Sequence, residues 1–202
     1  MTRPVPPFLA AAPSAAFPMA ILLCAAAALL QGCAPLIVAG ATQAVVSAGD
    51  PRSTGAQIDD QTIEIKVTTA AGSKWGNEVH LNVTSYNGIV LLTGEAPSTV
   101  VQDEITQMTK STDRVRSVQN EMVIGPVTDL GARTNDTYIT SKVKTRLVQE
   151  DKVKALYIKV VTERSVVYLM GIASREEAAA AAQVAATTSD VAKVVKVFEF
   201  KN

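Results

Sequence analysis

The chain has 202 residues, 19 of them Lys or Arg and 19 Asp or Glu, so its formal net charge is zero. A balanced charge excludes a general nucleic-acid binder, which concentrates basic residues. With two cysteines and one histidine there is no cluster of soft or imidazole ligands at metal-binding spacing.

The N-terminal segment carries Arg3, then an apolar run from Ile21 to Leu30, and closes on Leu30-Gln31-Gly32-Cys33. A run of this length is too short to span a bilayer and reads as a secretory signal with a small residue at the cleavage position. Leu-Gln-Gly-Cys resembles the lipobox of bacterial lipoproteins. That resemblance implies a signal peptide over 1–32, cleavage before Cys33, and acylation of Cys33 on its sulfur and amine. Cys24 is then lost, and no disulfide can form within the processed chain. Ala34 stands where lipoproteins kept in the inner membrane often have Asp, so the resemblance implies outer-membrane anchoring on the periplasmic side. Residues 33–56 are small and rich in Gly and Ala, with Asp50-Pro51-Arg52 as a helix breaker, and read as the lipidated N-terminus and a flexible tether.

From Gln57 onward the chain repeats one pattern, over 57–125 and again over 133–202. Asp59-Asp60 precede Ile63 and Val67, four apart; Asn135-Asp136 precede Ile139, Val143 and Leu147 at the same spacing. Both pairs are expected as helix N-caps. His80 to Tyr86 alternates as a half-buried strand, Asn87-Gly88 is a two-residue hairpin turn needing positive φ, and Ile89 to Gly94 returns. The second copy gives Tyr157 to Thr162, a Glu163-Arg164 turn, and Val166 to Gly171. Gly94 and Gly171 are expected where the strand ends and the chain swings into a helix. Helices follow over 97–111 and 174–188, the second opened by a Ser174–Glu177 capping box. Strands over 115–124 and 191–200 close the copies, and residues 125–132 link them. The order α-β-β-α-β, twice, predicts an α+β protein of two three-stranded sheets. Two helices cover each sheet, and its other face is either solvated or paired. Units this small are near the lower limit for a stable core, so the two are expected to pack together.

No catalytic constellation is present: no Ser-His-Asp set, no phosphate loop and no metal spacing, hence neither an enzyme nor a cofactor protein is expected. His80 reads as an exposed strand residue without a role, and Asp59-Asp60 as a cap and not an acid pair. The copies differ in charge. Residues 57–78 hold Asp59, Asp60, Glu64 and Glu78 against Lys66 and Lys74. Residues 131–155 hold Arg133, Lys142, Lys144, Arg146, Lys152 and Lys154 against Asp136, Glu150 and Asp151. On the second copy's first helix, Tyr138, Lys142, Thr145 and Gln149 form a stripe beside the core residues, with Arg146 at the seam. An aromatic ring among basic side chains suits a lipid headgroup boundary, and suits a solvated helix equally well.

The pattern resembles the BON domain of bacterial periplasmic proteins. The matching features are the Asx-led helix, the hairpin strands Val90-Leu91-Leu92-Thr93-Gly94 and Val167-Tyr168-Leu169-Met170-Gly171, and the closing pairs Val115/Val118 and Val191/Val194. Asp50-Pro51-Arg52-Ser53, Asn135-Asp136-Thr137-Tyr138-Ile139-Thr140 and Ser141-Lys142-Val143 are the more specific segments. A lipobox followed by two such domains is similar to the dual-BON outer-membrane lipoproteins of Gram-negative bacteria; soluble periplasmic relatives lack the lipid cysteine. The resemblance implies a non-enzymatic lipoprotein that binds anionic phospholipid through the first helix of its second domain, at Tyr138, Lys142, Thr145, Arg146 and Gln149. It also implies support of envelope integrity, including at division sites. The lipoproteins carry a tryptophan where this chain has Tyr138, which reduces the apolar area offered to a membrane. The alternative is a protein-interaction module acting with the outer-membrane protein assembly machinery, docked through the acidic first domain or a sheet edge.

Overall fold

Asp50-Pro51-Arg52 does break the backbone, and a helix starts directly behind it. The computed structural model describes residues 49–201; the signal segment, Cys33 and the tether up to residue 48 lie outside the described residues. Helix α1 (Thr54–Trp75) is capped by Ser53, whose side chain accepts from the Ala56 N–H at 3.1 Å. In the second copy α3 (Leu130–Val148) is capped by Asp129, which accepts from the Ala132 N–H at 2.8 Å. Both helices therefore begin before the Asx pairs expected to cap them. An extended residue with a side-chain acceptor is enough to start a helix, and nothing between Ser53 and Asp60, or between Asp129 and Asp136, stops it from propagating.

Asp60 and Asp136 sit inside these helices, 1% and 5% exposed, and do a different job. Strands β1 (His80–Tyr86) and β2 (Ile89–Ala96) form an antiparallel hairpin with Val83 opposite Leu92. Its turn residues, Asn87 and Gly88, have φ of 51° and 74°, the paired positive values of a type I′ turn. Their N–H groups donate to the Asp60 carboxylate at 2.8 Å each, joined by the Ser85 hydroxyl at 2.6 Å and Arg52 at 2.8 Å. The second hairpin, β5 (Lys159–Glu163) and β6 (Val166–Ala173), turns at Arg164 and Ser165, with φ of 52° and 62°. Both of their N–H groups donate to Asp136 at 2.8 Å. In each copy one buried carboxylate thus fastens the first helix to the hairpin turn.

Gly94 and Gly171 lie within β2 and β6, which run on to Ala96 and Ala173, and not at the strand ends where a swing into a helix was expected. The neighbouring chain explains them. A methyl group on Gly94 (φ 113°) would run into the His80 carbonyl, and one on Gly171 would sit 2.9 Å from the Tyr157 carbonyl oxygen. Glycine here permits close backbone approach across the hairpin.

Crossover helices α2 (Thr99–Lys110) and α4 (Arg175–Ala186) carry the chain to strands parallel to β2 and β6. Ser98 caps α2, and Ser174 caps α4 by accepting from the Glu177 N–H at 3.0 Å. The capping box is half made, because the Glu177 carboxylate accepts from the Lys154 N–H instead, at 2.9 Å. The first closing strand is broken into β3 (Ser117–Asn120) and β4 (Val123–Ile124), whereas β7 (Lys193–Phe200) runs unbroken. The order is the expected α-β-β-α-β, twice.

Each domain has its own core beneath its helices: Ile63, Val67, Val90, Leu92 and Ile105 in the first, Ile139, Val143, Leu147, Val167, Leu169 and Ala181 in the second. The opposite sheet faces are paired. Tyr86 and Leu91 of the first domain join Tyr168 and Met170 of the second in one buried cluster. Burial on both faces is why β2 and β6 read as apolar runs and not as alternating strands. It also pushes the Tyr86 and Tyr168 phenols up to about 12. Polar links frame the cluster: Lys159 to Glu64 at 2.8 Å, Asn82 to Glu163 at 2.8 Å, and Arg116 to both oxygens of Glu199 at 2.8 and 3.1 Å. Among the described residues no helix is long and apolar enough to cross a membrane.

Candidate functional site

Helix α3 has two faces with different duties. Ile139, Val143 and Leu147 fall at one-turn spacing and are at most 1% exposed, which fixes the rotation of the helix on its sheet. That rotation turns Tyr138 outward, 61% exposed. Two more large apolar residues lie on the outward half of the helix, Leu130 at its start and Val148 at its end, 79% and 70% exposed.

The predicted stripe meets in part. Tyr138, Lys142, Thr145 and Arg146 line one wall of a groove of about 610 Å³, and Thr187, Thr188 and Ser189 line the other. Lys142 Nζ stands 4.6 Å from the centre of the Tyr138 ring, a cation–π distance. Gln149 is the C-cap of α3, exposed and outside this groove. The Thr145 hydroxyl donates to the Ser141 carbonyl at 2.9 Å.

The two cations of the stripe are already engaged. Lys142 donates to Asp190 at 2.5 Å and to Ser189 Oγ at 2.8 Å, and the pairing holds the Asp190 carboxyl below its ordinary range. Arg146 lies across the C-terminus of α4, donating to the Val184 carbonyl at 3.1 Å, Thr188 Oγ1 at 2.8 Å and Thr187 Oγ1 at 3.0 Å. A guanidinium there satisfies carbonyls that the helix end leaves free and complements its dipole. Lys144 and Lys154 make no ion pair among the described residues. Arg133 and Arg146 likewise bind only carbonyl or hydroxyl oxygens, so the uncompensated positive charge of this region sits on Arg133, Lys144, Arg146 and Lys154.

His80 is not the exposed, partnerless strand residue expected. Its side chain is 13% exposed and its Nδ1 lies 2.9 Å from Glu95 Oε2. Glu163, from the second domain, approaches the same nitrogen at 3.8 Å. Sequence spacing gives no sign of this group, because one of its members arrives from the other copy of the repeat.

Comparison with known proteins agrees with the architecture. The BON domain family matches residues 59–126 and 135–202. The outer membrane lipoprotein DolP of Haemophilus influenzae is 39% identical over 184 residues, covering 90% of this chain and 95% of that protein. The 21 kDa hemolysin of Actinobacillus pleuropneumoniae is 35% identical over 153 residues, covering 75% of this chain and 79% of that protein. Two family matches that fall on the two α-β-β-α-β units, together with a relative aligned over nearly its whole length, establish that the chain belongs to the BON-domain family, in a two-domain form.

Proposed function

We propose that this protein is a non-enzymatic outer-membrane lipoprotein, anchored through acylated Cys33 on the periplasmic side. Its second domain rests on anionic phospholipid through the outward face of α3, and in doing so it helps maintain the envelope. The observation that carries the reading is the exposure of Leu130, Tyr138 and Val148 along one side of a single helix, with Lys144, which has no ion pair among the described residues, beside them. Large apolar side chains on a solvent-facing helix are unfavourable in water and are stabilised on entering a headgroup boundary. The name of the Haemophilus influenzae relative supports the location, and Leu-Gln-Gly-Cys supports the anchor.

Magnitudes assign separate jobs to anchor and helix. Acyl chains contribute about 0.8 kcal/mol per buried CH₂, so a multiply acylated cysteine decides attachment. Each Lys near an anionic surface adds only about 1 kcal/mol. The helix sets how the fold lies on the membrane.

Flotation of an unlipidated chain, residues 34–202, tests this. Wild type is expected to float with vesicles containing phosphatidylglycerol and to stay behind with phosphatidylcholine alone. Tyr138→Glu, at an exposed position, should melt normally and lose flotation. If it floats as wild type does, α3 is not the lipid surface, and docking onto outer-membrane assembly proteins becomes the better reading.

A further inference from the structure

The two domains meet over three side chains that no role in lipid binding uses. His80 opens β1, Glu95 stands opposite it on β2, and Glu163 ends β5 of the second domain. His80 Nδ1 lies 2.9 Å from Glu95 Oε2 and 3.8 Å from Glu163 Oε1, and one ligand atom from each residue falls within 4.8 Å of the others. The side chains are 13%, 0% and 5% exposed. We propose that His80, Glu95 and Glu163 form a divalent-cation site of Zn²⁺ type that bridges the two domains.

Geometry comes first. Zinc holds imidazole nitrogen at about 2.0–2.1 Å and carboxylate oxygen at about 2.0–2.2 Å, which places two such ligands about 3–3.5 Å apart. The observed 2.9 and 3.8 Å bracket that separation, and the third pair, Glu95 with Glu163, lies within 4.8 Å, so closing on an ion draws the two carboxylates together by up to about 1.5 Å. One imidazole with two carboxylates suits zinc better than calcium or magnesium, which prefer all-oxygen shells.

The second argument is an oxygen without a donor. Glu163 Oε2 accepts from Asn82 Nδ2 at 2.8 Å, but Oε1, which faces His80, has no hydrogen-bond donor among the described residues. That oxygen is not one of the buried atoms left without a partner; it stays open to the cavity lined by His80 and Glu163, where a cation can reach it. Charge points the same way. Glu163 has two further acids, Glu95 and Asp136, as charged neighbours, and the guanidinium paired with Glu95, that of Arg164, stands 3.5 Å away and is itself 51% exposed. A bound dication would reverse that balance.

The ligands are also held from behind. The Thr128 hydroxyl and N–H donate to Glu95, the latter at 3.2 Å, and Asn82 holds Glu163. Such outer contacts orient ligating carboxylates. A cavity of about 230 Å³, lined by His80, Asn82, Arg133, Thr140 and Glu163 among others, opens onto the cluster and gives room for water as a further ligand. Because Glu163 comes from the second domain, the ion would tie the two domains together.

The test uses the full chain purified in detergent and stripped by a chelator, then titrated with ZnCl₂ and, in parallel, CaCl₂. One zinc per chain should bind at micromolar concentration or tighter, and the melting temperature should climb with zinc and not with calcium. Glu163→Gln keeps an acceptor for Asn82, and His80→Asn removes the nitrogen ligand; each should weaken zinc uptake at least about tenfold and abolish the zinc-dependent rise in melting temperature. Glu199→Gln, an acid at the domain interface away from the cluster, should leave uptake unchanged. Co²⁺ in place of Zn²⁺ should give a visible d–d band that Glu163→Gln loses, which decides the matter even where His80→Asn folds poorly. Absence of saturable zinc uptake, equal binding of calcium, or zinc uptake unaffected in both variants would overturn the site.

Discussion

Asp60 and Asp136 show how much a single carboxylate can organise. Each accepts the two turn N–H groups of a hairpin from within a helix, and Asp60 adds Ser85 and Arg52. Charge-assisted hydrogen bonds contribute about 1.5–3 kcal/mol each, and the buried donors left behind on truncation cost more than the bonds were worth. Asp60→Ala should therefore destabilise by about 3–5 kcal/mol, and Asp136→Ala by less, since it accepts two bonds from the turn where Asp60 accepts four from all its partners. The midpoint of urea unfolding measures both. Losses under about 1 kcal/mol in each variant would mean the turns stand without the aspartates. The sequence marks both positions, and capping is the natural reading of an Asx before an apolar run. It fails because an aspartate serves the N–H groups of its own helix or of a distant turn equally well, and only the fold says which are near. Gly88 is legible for the opposite reason: the demand for positive φ is local.

Helix α3 was readable as an element. The spacing of Ile139, Val143 and Leu147 fixes the inward face, and with it the outward position of Tyr138. The partners of Lys142 and Arg146 were not readable, because Asp190 and the end of α4 come from far along the chain and periodicity carries no information about them. Their engagement changes the electrostatic expectation. A lysine paired with aspartate adds little net attraction toward an anionic surface, whereas Lys144 acts at full charge. At low salt Lys144→Ala should reduce flotation more than Lys142→Ala, and the gap should narrow at high salt as screening removes the contribution of exposed charge. A larger effect from Lys142→Ala would show that the pair with Asp190 opens on the membrane.

At the scale of the molecule, the two sheets are held face to face by the Tyr86–Leu91–Tyr168–Met170 cluster with ion pairs at its rim. That the units pack was expected from their size; which faces meet was not, since apolar runs in β2 and β6 say only that both faces are covered. The Arg116–Glu199 pair allows a check with pH. Hydrogen bonds from Arg116 hold the Glu199 carboxyl below 4.5 in the folded state. An acid depressed on folding contributes its stability in full above the unfolded value and loses it as pH falls through the folded one. Both partners are partly exposed, so Glu199→Gln should cost about 0.5 kcal/mol at neutral pH, with the difference closing as pH drops below 4.5. A difference that persists unchanged into strong acid would rule out this origin.

The shared cluster also imposes a direction on biogenesis. Tyr86 and Leu91 are covered by residues from Val161 to Val197, which on the proposed export route reach the periplasm last. Until then the first domain, complete in its own core, carries a bare apolar face of the kind that adheres to whatever it meets. The second domain emerges with its cover already folded and waiting. The exported chain is thus most vulnerable to aggregation in the interval between the arrival of its two halves, and any periplasmic chaperone that shields it has one surface and one short period in which to act.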